Sequence, residues 1–111
     1  MDTNQFESGE VFSLNASIGY ADKAVISKQI IKKNAGNISL FSFDKGEGLS
    51  EHTAPFDAVV YIVDGKAEII IDGKSNVLEA GEIIIMPANK PHALKAIEKY
   101  KMLLIMIKEK N

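Results

Sequence analysis

The sequence predicts an all-β domain, a single antiparallel barrel or sandwich, on three observations. Short runs rich in β-branched and aromatic residues recur from about residue 24 to the C-terminus. Turn chemistry separates them, at Asn34-Ala35-Gly36-Asn37, Asp44-Lys45-Gly46, Asp64-Gly65 and Asp72-Gly73. No window of helical length carries a helical periodicity. Strands so spaced, with no helix to cover them, bury their apolar faces against one another.

Taken in order, residues 1–20 place Phe6, Val11, Phe12, Leu14 and Tyr20 among polar neighbours. They are read as an N-terminal segment, an outer or swapped strand, ahead of a barrel over residues 21–111. Ala24–Ile31 and Ile38–Phe43 are the first strands, and Ala58–Val63 and Lys66–Ile71 follow. Hairpins are expected at Asp64-Gly65 and Asp72-Gly73, because glycine reaches positive φ without a steric penalty. Val77-Leu78, Glu82–Met86, Ala93–Ile97 and Met102–Lys108 complete the set. Met102–Ile107 is apolar at every position, so both its faces need cover. A second subunit is expected to supply one of them, which predicts a homodimer.

Bulk composition narrows the function classes. The 111 residues fit one domain, and 46% hydrophobic with 25% charged is a globular balance. The longest apolar runs fall far short of the ~20 residues needed to cross a bilayer, so no membrane partner is expected. The start Met1-Asp2-Thr3-Asn4-Gln5 lacks a basic segment leading into an apolar one. With no cysteine and hence no disulfide framework, a cytoplasmic location is expected. The net charge is −2 and all 13 basic residues are lysine. Nucleic-acid readers lean on the arginine fork, so no nucleic-acid partner is expected.

Two spacings carry the chemistry. Gly46 is followed after five residues by His52, and Gly65 closes that stretch. Gly81 is followed after five residues by Pro87, and then by Asn89 and His92. Fifteen residues separate Gly65 from Gly81. This pattern resembles the two motifs of the small single-domain cupins, which implies a jelly-roll barrel with His52 and His92 at its mouth. In that family the slots supply His, His, Glu and His to a metal ion. Here the second histidine slot holds Ala54 and the glutamate slot Ala58, while the second motif's glycine and asparagine slots hold Asn89 and Ala96.

The departures bear on cofactors. Alanine has no lone pair to donate, and a zinc or non-haem iron site draws at least three ligands from protein. His52 and His92 are thus the candidate ligands for a divalent transition metal (Zn, Fe, Mn, Ni or Cu). Asp57, like Glu51, is one position out of phase with the ligand slots, and a bulge at Pro55 would be needed to turn it inward. Met102 and Met106 share a strand face with Leu104, and thioether with imidazole suits a soft copper ion. The competing reading of these methionines is core packing. Ser50 lies two residues before His52 and shares its face, but no oriented base or oxyanion hole is identifiable for it.

The pocket expected from these residues holds His52, His92, Ala54, Ala58 and Ser50. The leading reading is a small molecule bound in the barrel through the two histidines, with no assigned reaction. One alternative is a metal-dependent dioxygenase or isomerase of the cupin type, with two-histidine coordination. The other is a non-catalytic structural or regulatory barrel.

Overall fold

The computed structural model describes residues 5–108. Residues 1–4 and 109–111, placed above in the N-terminal segment and the barrel, lie outside the described residues. Seven strands form among the described residues: β1 (Val25–Lys33), β2 (Gly36–Phe43), β3 (Gly48–His52), β4 (Asp57–Ile71), β5 (Lys74–Glu79), β6 (Ile83–Met86) and β7 (His92–Ile107). All pairings are antiparallel. Among the described residues no helix is long and apolar enough to cross a membrane.

The long strands β4 and β7 pair with each other over most of their lengths and organise the rest. The C-terminal half of β7 pairs with β2, which pairs with β1, and the N-terminal half of β4 pairs with β6. That gives one sheet in the order β1-β2-β7-β4-β6. The other halves pair with β3 and β5, giving β3-β7-β4-β5. Each long strand therefore runs through both sheets, and the two sheets close over one core, as a jelly roll does.

The bend in β4 overturns one expectation. Asp64-Gly65 is not a hairpin: the strand continues through it, with register shifts at Ile62/Asp64 and Gly65/Ala67. A two-residue hairpin of the I′ kind needs positive φ at both central residues. Asp72 (51°) and Gly73 (82°) meet that requirement and join β4 to β5. At the other site only Gly65 is positive, at 84°. A β-carbon there would lie 1.9 Å from the Lys99 carbonyl oxygen, so glycine permits close approach of β7 at the bend. The expected separate strands Ala93–Ile97 and Met102–Lys108 are likewise one bent strand, β7.

Strand alternation fills the core. Ala58, Val60 and Ile62 of β4 point inward, as do Ala67 and Ile69 beyond the bend. Leu94, Ala96, Tyr100 and Met102 meet them from β7. Burying each of the larger side chains stabilises the fold by about 1.5–3 kcal/mol. Phe43 stacks on Tyr100 with centroids 4.5 Å apart.

No strand forms over the described part of the N-terminal segment. Residues 5–24 form an irregular strap with one 3-10 turn, Asn15–Ser17, laid across the outer face of the larger sheet. Phe6, Leu14 and Ile18 pack there on Leu40, Ile30 and Leu103. Backbone polar groups in the strap find partners on the barrel rather than in a ladder. The buried Lys101 ammonium donates to Asn15 O (2.7 Å) and Oδ1 (2.9 Å), and Ser42 Oγ donates to Gly19 O at 2.7 Å. The Tyr20 hydroxyl donates to Asp64 Oδ2, and its burial and that acceptor raise its pKa.

Candidate functional site

β3 and the start of β7 pair so that His52 stands directly opposite His92. Directly opposed residues present their side chains on one face, and here the rings meet edge to face with centroids 4.4 Å apart. His92 is 6% exposed, whereas His52 sits at the exposed rim.

Each ring is oriented by the carbonyl two residues before it. His52 Nδ1 lies 2.7 Å from Ser50 O, and His92 Nδ1 lies 3.2 Å from Lys90 O. A carbonyl only accepts, so these bonds assign the Nδ1–H tautomer to the neutral form of both rings. Neither Nε2 has a hydrogen-bond partner among the described residues. The pKa of His92 is lowered from 6.5 chiefly by burial; the Lys90 carbonyl opposes that shift and His52 adds to it.

The loop between β6 and β7 delivers His92. Asn89 takes φ of 65°, the left-handed conformation that asparagine tolerates, which accounts for this departure from the motif's glycine. Its N–H donates to Ala54 O at 2.7 Å, tying the second motif to the first. The Asp57 carboxylate accepts the Ala88 N–H at 2.8 Å.

A cavity of about 60 Å³ lies behind the histidines, between the two sheets. His52, Ala54, Ala58 and His92, the residues of the four ligand slots, all line it. Three of the chain's four methionines (Met86, Met102 and Met106) line it too, with Leu49, Leu94 and Leu104. No carboxylate among the described residues does. Such a volume holds a few water-sized groups and is well below the roughly 150 Å³ that accommodates a benzene ring.

Two candidate residues lie elsewhere. Ser50 is exposed and absent from the lining; it contributes its backbone carbonyl to His52 rather than a nucleophile. Asp57 is not a ligand in this arrangement, because β4 starts in regular alternation and points its carboxylate at the loop, away from Ala58. Met86 went unnoticed in the sequence. Its signal is two-residue alternation along Ile84-Ile85-Met86, but only the pairing of Ala58 with Met86 reveals which face it joins.

The donor set does not fit the divalent ion of the resembling motifs. Two of the four slots are alanine, and no cluster of three or more His, Cys, Asp or Glu able to hold a metal occurs among the described residues.

Two antiparallel sheets sharing bent strands, with a histidine-lined cavity between them, define a jelly-roll barrel of single-domain size. The chain belongs to the cupin family: the model of the Cupin domain matches residues 39–108. It is similar to a conserved protein of unknown function from Streptococcus pyogenes, at 35% identity and a TM-score of 0.89, over 95% of this chain and 92% of that one. A cupin 2 conserved barrel domain protein from Leptotrichia buccalis is 39% identical, with a TM-score of 0.85 over 87% of this chain and 47% of that one. This chain thus spans about half of that longer one. A cupin superfamily protein from Desulfitobacterium hafniense is 29% identical over 94% of this chain and 95% of that one, with a TM-score of 0.87. No curated protein matches the chain.

Proposed function

We propose that this cupin binds a compact ligand in its barrel, held by Nε2 of His52 and Nε2 of His92. The observation that carries this reading is the pair itself. Two imidazoles stand opposite each other, each tethered through Nδ1 to a backbone carbonyl, over a cavity lined otherwise by apolar side chains. A structural histidine needs only one satisfied nitrogen and no facing partner. At about 60 Å³ the cavity selects a ligand of a few heavy atoms rather than a metabolite of ordinary size.

The test compares the wild type with a His52→Ala/His92→Ala double variant, using histidine 15N resonances titrated with azide, formate and imidazole. The expected result is a saturable shift of both Nε2 resonances by at least one probe, and a folded double variant by circular dichroism that binds none. A double variant that does not fold would make the histidines structural and overturn the reading. Binding at wild-type strength in the double variant would do the same.

We further propose that the chain acts as a homodimer. Ile85, Val59, Ile105, Ile38 and Ile31 form one register row across β6, β4, β7, β2 and β1, on the face turned away from the core. Ile85 is 61% exposed and Ile31 43%. A second copy of the same face is a self-complementary cover for such a row.

A further inference from the structure

We infer that the cavity is a site for a soft monovalent metal ion, copper(I), with His52 Nε2, His92 Nε2 and the thioether sulfurs of Met86 and Met106 as donors. The inference rests on the reading of the cavity as a ligand site and names the class of ligand.

The register around Ala58 carries it. Ala58 occupies the slot in which the resembling motif presents a carboxylate, and its cross-strand partners are Met86 on β6 and Met106 on β7. Directly opposed residues have β-carbons about 4.5–5.5 Å apart, so both thioethers can reach the space that a longer side chain at Ala58 would fill. All three residues line the cavity. The hard oxygen donor is thus absent from a slot flanked on both sides by residues with soft sulfur donors.

The cavity's electrostatics select the same ion. Its polar lining among the described residues is two imidazoles, with no carboxylate or thiolate to offset charge. The cost of taking an ion out of water scales with the square of its charge, so a dication pays roughly four times what a monocation pays. Neutral imidazole and thioether donors favour copper(I) over zinc, manganese or magnesium. A bare ion fits about 60 Å³, whereas a divalent ion with several retained waters does not. The Ser50 and Lys90 carbonyls act as the outer-shell acceptors that orient ligating imidazoles.

Protein purified without a metal-affinity tag is titrated anaerobically with copper(I) against the chromophoric chelator bicinchoninate, and in parallel with zinc(II). One equivalent of copper(I) per chain is expected, bound at least a hundredfold more tightly than zinc(II). X-ray absorption of the wild-type complex should show both nitrogen and sulfur scatterers. The near-isosteric Met86→Leu/Met106→Leu variant should remove sulfur scattering and weaken copper(I) at least tenfold while both histidines remain.

Nitrogen-only scattering, tighter zinc(II) binding, or copper(I) affinity unchanged in the methionine variant would overturn the inference. Failure of copper(I) to bind, with azide, formate or imidazole still shifting the histidine resonances, removes the metal and leaves the ligand cavity. Failure of every probe removes both.

Discussion

The buried imidazole of His92 meets the exposed ring of His52 edge to face across paired strands, 4.4 Å between centroids. Charging His92 therefore places a cation in an apolar cavity beside a second imidazole. Burial is the main reason its pKa is lowered, and His52 adds to the shift.

That lowering makes the metal-free protein less stable in acid. Between the lowered folded value and 6.5, the unfolded chain binds more protons at this site than the folded one. The contribution is complete above 6.5 and is lost as the pH falls from there through the folded value. Urea midpoints between pH 8 and pH 5 should fall, and the difference between wild type and His92→Gln should shrink toward acid. A pH-independent difference would contradict this account.

Gly65→Ala should be among the most damaging single substitutions. Its β-carbon would lie 1.9 Å from Lys99 O and 2.8 Å from Tyr100 Cα, and both are backbone atoms that cannot swing aside. The expected loss is above ~3 kcal/mol, since the positive-φ penalty adds to the displacement of β7. Gly81→Ala is the control. It shares a positive φ of 91° but meets nothing within 4 Å, so only a conformational cost of about 1–2 kcal/mol applies. Chemical denaturation of the two variants distinguishes the terms.

Tyr100→Phe should raise stability. The hydroxyl is buried without a hydrogen-bond partner among the described residues, and burial pushes its pKa up. Phenylalanine retains the stacking on Phe43 and removes an unpaired polar group, for a gain of about 1 kcal/mol. Calorimetry should show this as a rise in Tm of about 4 °C.

Ile85→Lys tests the proposed dimer. The side chain is 61% exposed on β6, so a lysine there leaves the monomer's stability within ~0.5 kcal/mol. In a face-to-face dimer it would place a charge in the apolar row. Light scattering should give a dimer for wild type and a monomer for the variant. Equal masses would remove this face from the interface.

The placement of the strands follows from local chemistry that a reader of the chain can see. β-Branched runs, the positive-φ pair Asp72-Gly73 and the glycine-to-histidine spacings all act over short distances. His52 and His92 are legible for the same reason, because their slots are counted along the chain. Asp57 was legible only as an alternation question, and regular pairing at the start of β4 settled it in favour of the Ala88 N–H.

Other features depended on partners distant in sequence. Whether Asp-Gly turns or bends depends on what pairs beyond it, and β7 holds both halves of β4 through Gly65. The N-terminal segment offered an outer strand, whereas residues 5–24 lie as a strap through contacts with Leu40 and Leu103. Met86 and Met106 lie far apart in the sequence and meet at Ala58 through two separate ladders. Local propensity sets where strands form and which residues alternate; only long-range pairing selects the face each side chain joins, and hence what surrounds the histidines.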